Sequence, residues 1–89
     1  MRAAWYCKNG EARDVLVVGE LPDPVAGPGE VRIRMATSGV NPSDVKSRRA
    51  RPLTDEKIVP HSDGAGVIDQ VGSGVPASRI GERVWTWNA

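Results

Sequence analysis

Polar side chains that could bind a ligand lie in two short stretches of the sequence. The first contains Asn41 and Asp44, an amide and a carboxylate three positions apart. The second contains Ser62 and Asp63, at the entrance to a glycine-rich segment. An amide donates and accepts hydrogen bonds at once, whereas a carboxylate only accepts them. No side chain in these stretches is a clear proton donor, and polar groups at the entrance to a strand are a common place for chemistry in sheet proteins.

The second stretch is predicted to lead into a β-strand. Pro60 ends the preceding element, and a β-branched run over residues 66–71 follows. Gly64 and Gly66 have no Cβ, which allows another backbone or a ligand to approach closely. The alternation is imperfect, because Asp69 falls on the same face as its apolar neighbours at positions 67 and 71.

The first stretch is predicted to open a short helix over residues 42–49. Asn41 is a favourable N-cap, Pro42 suits the first helical position, and Asp44 stands at the third. Basic residues load the C-terminal half and complement the helix dipole. From these residues alone, the cap explains Asn41 and Asp44 better than a ligand does, although a capping residue can also lie at a cleft edge.

Short strands with turns between them account for most of the remaining chain. Residues 31–35 alternate cleanly, which places Val31, Ile33 and Met35 inward and the two arginines in water. Asn9-Gly10 predicts a hairpin. Ten glycines and seven prolines also favour turns over long helices. The other predicted strands are residues 2–6, 14–18 and 83–87. Residues 53–60 are predicted to be a loop.

Composition indicates one small domain of 89 residues with a net charge of +1. This charge gives no reason to expect nucleic acid or a membrane as a partner. The single Cys7 excludes an internal disulfide and favours a reducing compartment. With no apolar leader visible, we expect a cytoplasmic protein that does not enter the membrane.

Several chemically suggestive side chains have ordinary explanations. We expect Cys7 to be a small buried hydrophobe and His61 to be an exposed loop residue. Trp85 and Trp87 are expected to be packing residues rather than a stacking platform. The basic cluster is expected to be a solvated helix end rather than a phosphate site. Its members are Lys46, Arg48, Arg49 and Arg51.

Residues 72–77, GSGVPA, match a dinucleotide-binding fingerprint in form only. Such a fingerprint opens a helix whose N-terminus holds a pyrophosphate. Pro76 lacks an amide hydrogen, and Gly81 arrives before a useful helix could form. We interpret this segment as a turn.

Three segments together give a more specific signal. Residues 60–72, PHSDGAGVIDQVG, and residues 38–44, SGVNPSD, precede a GERVW segment at residues 81–85. In this order and spacing they resemble the N-terminal GroES-like domain of the medium-chain dehydrogenase/reductase superfamily, in its quinone oxidoreductase branch. The resemblance covers nearly the whole chain but only the first portion of such an enzyme.

The resemblance implies a mainly β fold, a GroES-like partly open β-barrel with one or two short helices over residues 1–89. It implies that a nucleotide-binding Rossmann domain, absent from this chain, completes the enzyme. The implied reaction is hydride transfer from NADPH to a quinone or an α,β-unsaturated carbonyl. Asn41 and Asp44 match the residues that line the cleft at the nicotinamide end. The isolated domain is expected to be inactive.

The resemblance also predicts that the enzyme holds no metal. Zinc-dependent relatives place Cys, His and Glu where Asn41, Ser62 and Asp63 stand. A catalytic zinc needs three protein ligands, and Asn and Ser are poor ones. Lys46 departs from the branch, which often has Tyr there, and this leaves the acceptor undefined.

One alternative is an alcohol dehydrogenase or an enoyl reductase of the same superfamily. The residues at the zinc positions oppose an alcohol dehydrogenase. The other alternative is a non-enzymatic GroES-like module. Assembly as a homodimer and the preference for NADPH over NADH are left open.

Overall fold

The computed structural model describes residues 1–88. The strands are β1 (Arg2–Trp5), β2 (Val17–Glu20), β3 (Val31–Ser38), β4 (Asp63–Val71) and β5 (Arg83–Trp87). The helices are α1 (Ala12–Val15), α2 (Pro42–Ala50) and a 3₁₀ turn over Ala77–Arg79. The chain divides into two compact units. The first contains residues 1–22 and 40–61, and the second contains residues 23–39 and 62 onward.

A two-stranded antiparallel sheet forms the first unit together with α2. β1 pairs with β2 so that Arg2 lies opposite Glu20 and Trp5 lies opposite Val17. Tyr6 continues this strand into a bridge with Ile58 in the loop after α2, with N–H···O distances of 2.9 Å in both directions. These two backbone hydrogen bonds therefore fasten that loop to the sheet, and the Tyr6 side chain is buried.

The predicted hairpin at Asn9-Gly10 is wrong, although the two strands do pair. The connection instead contains the single turn α1, and the return strand begins at Val17 rather than at Asp14. The Asn9 side chain donates to the backbone carbonyls of Arg48 at 3.1 Å and Arg51 at 2.9 Å, at the end of α2. A residue that looked like a local turn former therefore satisfies the orphan carbonyls of a distant helix.

A three-stranded antiparallel sheet in the order β3-β4-β5 forms the second unit. Two bulges interrupt the β3–β4 register. Between Arg32 and Ile33 the partner shifts from Gln70 to Ile68, so that Asp69 is the extra residue. This bulge explains the imperfect alternation of residues 66–71, because an extra residue reverses the faces on which the later side chains of its strand lie.

The environments predicted for two β3 side chains are wrong. Met35, which was expected to face inward, is 46% exposed. The Arg32 side chain was expected to face solvent, but it forms an ion pair with Asp69. Its Nε donates to Oδ1 of Asp69 at 2.8 Å, and about a quarter of each side chain is exposed.

Ile68 is the central side chain of the second unit and is fully buried. Its backbone N–H donates to the carbonyl of Glu82, and its carbonyl accepts from Gly81. The glycine-rich segment before β5 is a turn followed by one 3₁₀ turn, so its interpretation as a turn is confirmed.

Two expectations about burial are wrong. Cys7 is exposed rather than buried. Trp85 and Trp87 lie on the same outward side of β5 and are 78% and 62% exposed, so they do not pack within the described chain. The alternation of β5 itself is as predicted.

The mainly β fold with few short helices is confirmed. Each of the two sheets is antiparallel, and within residues 1–88 neither closes on itself, which is consistent with a partly open GroES-like fold. No helix in residues 1–88 is both long enough and apolar enough to span a bilayer.

Candidate functional site

The first set of candidate residues lies at the N-terminus of α2. Asn41 is the N-cap in extended conformation, and Pro42 is the first helical residue. Asp44 Oδ2 accepts from the backbone N–H of Asn41 at 2.7 Å, and the two residues form a capping box. Asn, Pro and an acid at these positions fix the helix start through local chemistry. Both side chains are partly buried.

The second set lies where β4 begins, in the other unit. Ser38 pairs with Gly64, and the N–H of Gly39 donates to the carbonyl of Asp63 at 3.0 Å. The Asp63 carboxylate lies directly over the Cα of Gly39, so that a Cβ at position 39 would collide with it. The sequence placed these residues 24 positions apart, and strand pairing makes them neighbours.

Close backbone packing explains the two glycines in this strand. A Cβ on Gly64 would strike the carbonyl oxygen of Thr37 and the tip of Met35. A Cβ on Gly66 would strike the carbonyl oxygen of Arg34. The predicted close approach is therefore confirmed, and the partner in each case is neighbouring backbone.

The basic end of α2 is only partly solvated. Arg48 Nε donates to the carbonyl of Gly10 at 3.2 Å, and Arg49 forms an ion pair with Glu11 at 3.1 Å. Lys46 and Arg51 are exposed. Two of the four cations thus hold the α1 region against α2, which the sequence pattern did not reveal.

The sequence resemblance placed Asn41, Ser62 and Asp63 at the positions that bind zinc in zinc-dependent members of the superfamily. Within residues 1–88, no three His, Cys, Asp or Glu side chains are grouped closely enough to hold a metal ion. His61 is exposed, as predicted, and has a positive φ of 84°. The carbonyl of Ser62 accepts from Asn88 at 2.7 Å and so closes the end of the sheet.

The structure brings Asn41 together with Asp44, and it places Ser62 with Asp63 in the other unit. The contact of Asp63 with Gly39 was missed. The only sign of this contact in the sequence was Gly39, a glycine directly after a predicted strand. Nothing in the sequence identified Asp63 as the residue whose carboxylate lies where a side chain at position 39 would be.

Comparison with known proteins places this geometry in a family. Residues 27–89 match the alcohol dehydrogenase GroES-like domain. The chain belongs to this family. Its fold superposes on a mycobacterial quinone oxidoreductase with a TM-score of 0.83 at 30% identity over 96% of the chain. It superposes on a mycobacterial protein complexed with NADPH with a TM-score of 0.87 at 28% identity over all of the chain.

A curated relative gives a similar result at the sequence level. The chain is 39% identical to a 2-haloacrylate reductase from Burkholderia sp over 97% of its length. It spans 26% of that relative, and 27% and 28% of the two structures. The chain therefore spans about a quarter of the length of each of these three proteins.

Proposed function

We propose that this domain is the N-terminal part of a zinc-independent, NADPH-dependent quinone oxidoreductase-like enzyme. The enzyme transfers hydride from NADPH to a quinone or an α,β-unsaturated carbonyl. The observation that carries the proposal is the match of the whole chain, at a TM-score of 0.87, to a protein complexed with NADPH.

The residues at the start of α2 suit the nicotinamide end of the cofactor. Bound NADPH supplies the hydride. An amide has an NH₂ donor and an oxygen with two lone pairs, so Asn41 can bond the carboxamide of nicotinamide while its oxygen also accepts within the capping box. Asp44 accepts from the N–H of Asn41 and holds that residue at the helix start. The role of these residues is to orient the cofactor, which can supply a large part of a rate enhancement.

The phosphates are proposed to bind outside this domain. Arg48 and Arg49 are engaged with Gly10 and Glu11, which leaves them poorly placed for a phosphate. A nucleotide-binding domain beyond these residues would supply that site, and the 89 residues alone would be inactive.

Zinc independence rests on the side chains at the three ligand positions. An amide at position 41 and a hydroxyl at position 62 leave Asp63 as the one favourable ligand among them. We therefore assign these residues to positioning rather than to Lewis-acid chemistry.

A second acceptor class is favoured by a specific observation. The relative that is 39% identical is a 2-haloacrylate reductase, whose named substrate has a double bond conjugated to a carboxylate. An activated alkene is therefore the second candidate acceptor. An exposed Lys46, where quinone oxidoreductases often have tyrosine, would suit an anionic acceptor better than a neutral quinone.

The test uses the protein encoded by the complete reading frame. NADPH oxidation is followed with a benzoquinone, an enone, a 2-haloacrylate and no acceptor, and alcohol oxidation is followed with NADP⁺. We expect turnover with a quinone or an activated alkene, and metal analysis without stoichiometric zinc. Alcohol oxidation that requires bound zinc would contradict the proposal. A multimer that fails to bind NADPH would instead indicate a non-enzymatic module.

A further inference from the structure

β5 is an edge strand of the second unit, and one side of it carries two large uncovered side chains. Among residues 1–88, β5 pairs with β4 alone, in a register that sets Trp85 opposite Ala65. Ala65 is too small to cover an indole ring, and Trp85 and Trp87 are 78% and 62% exposed. The two side chains lie on the same side of the strand and form an apolar row.

The same residues carry the backbone groups that β4 does not use. At one end of the pairing, the N–H of Ile68 donates to the carbonyl of Glu82 at 3.0 Å, and at the other the N–H of Asn88 donates to Ser62 at 2.7 Å. Since hydrogen-bonded pairs recur at every second residue, the even-numbered residues of β5 bond to β4. The N–H and C=O groups of the odd-numbered residues therefore point away from β4. These residues are Arg83, Trp85 and Trp87. Their outward backbone groups and the tryptophan row are together called the β5 edge.

The β5 edge suits an added strand. Open edge strands invite pairing, and natural proteins protect them with charges, prolines or bulges, or cover them. Over residues 83–87 there is no proline and no register shift, and the single charge, Arg83, stands at the start. An added strand would bond to the outward backbone groups while its side chains covered the tryptophan row.

We propose that the β5 edge is covered by a strand of the same polypeptide, supplied by the part of the full-length enzyme that follows this domain. The inference rests on the proposed function only in treating the domain as the N-terminal part of a longer enzyme. The chain spans 26% to 28% of the relatives compared above, so a long polypeptide is available to supply the strand. Strands that are consecutive in sequence are usually neighbours in a sheet, as β4 and β5 already are.

A second copy of the enzyme is the rival occupant. A fully covered tryptophan buries about 150–250 Å², so two from each copy would bury no more than about 1,000 Å² in all. Stable interfaces between separate chains bury about 1,200–2,000 Å². A segment of the same polypeptide needs less area, because its tether gives it a high effective concentration. The size of the tryptophan row therefore favours an intramolecular cover.

Backbone hydrogen exchange in the full-length enzyme, resolved by residue with NMR, tests whether the β5 edge is paired. We expect the amides of Trp85 and Trp87 to exchange about a hundredfold or more slower than unstructured amides. Val84 and Thr86 are the internal controls, because their amides bond to β4 whether or not the edge is covered. Fast exchange at Trp85 and Trp87 beside slow exchange at Thr86 would overturn the proposal.

Truncation of the row tests whether the side chains are covered. Beneath an added strand, Trp85→Ala should lower the melting temperature of the full-length enzyme by about 5 °C or more. A ring left in solvent predicts a shift of about 1–2 °C at most. Val18→Ala is the control, since Val18 is 62% exposed and lies on β2, away from the β5 edge. Equal melting temperatures for Trp85→Ala and Val18→Ala would contradict the proposal.

Sedimentation distinguishes the two occupants. With an intramolecular cover, Trp85→Ala keeps the assembly size of the wild type, and exchange at the edge does not depend on protein concentration. Protection that is lost on dilution, together with a smaller assembly in Trp85→Ala, would overturn the proposal in favour of a second copy.

NADPH oxidation by the wild type is measured separately. An enzyme that oxidises NADPH but leaves the edge amides unprotected would refute this inference alone. An enzyme that protects those amides but does not bind NADPH would refute the proposed function and leave the covered edge standing.

Discussion

Arg32 Nε and Asp69 Oδ1 lie 2.8 Å apart across β3 and β4, at the point where the two strands change register. Arg32 Nη1 also donates to the carbonyl of Pro24 at 3.1 Å. The ion pair therefore joins both strands and the segment before β3 at the bulge, where the ladder itself is interrupted.

This pair predicts an acid-sensitive component of stability. The hydrogen bond from Arg32 lowers the pKa of Asp69, and desolvation opposes it only in part. Because the folded pKa is below the unfolded value, the contribution is fully present above the unfolded pKa of about 4 and is lost as pH falls through the folded pKa. We expect the difference in melting temperature between wild type and Asp69→Asn to shrink from pH 6 towards about pH 2.

Glu82→Gln is the comparison for that experiment. Arg79 lowers the pKa of Glu82 through a hydrogen bond in the same way, but both side chains are nearly half exposed. Screening by solvent should make its acid-sensitive component smaller than that of Asp69. A constant difference between Asp69→Asn and wild type at every pH would refute the prediction.

Asn9 is predicted to stabilise α2 from outside the helix. Its Nδ2 donates to carbonyls at the helix end, with the shortest distance 2.9 Å to Arg51. Asn9→Ala should cost about 1 kcal/mol. Asn9→Asp should cost more, because a carboxylate can only accept and would face those carbonyls. Urea unfolding measures both, and a more stable Asn9→Asp variant would contradict the assignment.

Gly66 is predicted to be intolerant of any side chain. Its Cβ would strike the carbonyl of Arg34, which is backbone within a paired strand and cannot move aside cheaply. Gly66→Ala should destabilise by about 3 kcal/mol or more, at the upper end of overpacking costs. Gly29→Ala is the control, because nothing lies within 4 Å and only its φ of 74° is strained, at about 1 kcal/mol. Equal losses in denaturant titrations would show that sterics do not matter at Gly66.

Ile68 is predicted to dominate the core of the second unit. It is fully buried, so Ile68→Ala should cost about 2–5 kcal/mol through lost transfer energy and a cavity. Val18, at 62% exposed, offers a matched surface truncation that should cost less than about 0.5 kcal/mol. Similar unfolding midpoints for the two variants would contradict this location of the core.

The sequence predicted elements well where the signal was local. Capping chemistry at Asn41, Pro42 and Asp44 predicted where the helix starts. The alternation of apolar and polar residues predicted β3 and β5 as strands. Prediction from the sequence failed where a distant partner decided the outcome. Asn9 had the form of a hairpin residue, yet α2, some 40 positions away, uses its amide. Local patterns cannot encode such a contact.

The same distinction holds for the candidate site. The capping pair could be predicted because its two residues are three positions apart. The contact of Asp63 with Gly39 could not, since it depends on the pairing of β3 with β4 and on a bulge that shifts their register. Trp85 and Trp87 were misjudged because alternation reveals which residues share a face, but not whether anything covers that face.

The final prediction separates the two roles of Asn41. Asp and Ser cap helices about as well as Asn, so Asn41→Asp and Asn41→Ser should leave the melting temperature of the full-length enzyme nearly unchanged. An ionised Asp has no donor, and Ser has a single short hydroxyl in place of the amide's separate donor and acceptor, so we expect KM for NADPH to rise by about tenfold in both. Pro42→Ala, which alters the helix start without touching the amide, controls for general effects of the cap. Unchanged NADPH kinetics in both Asn41 variants would show that the residue caps α2 and does nothing more for the cofactor.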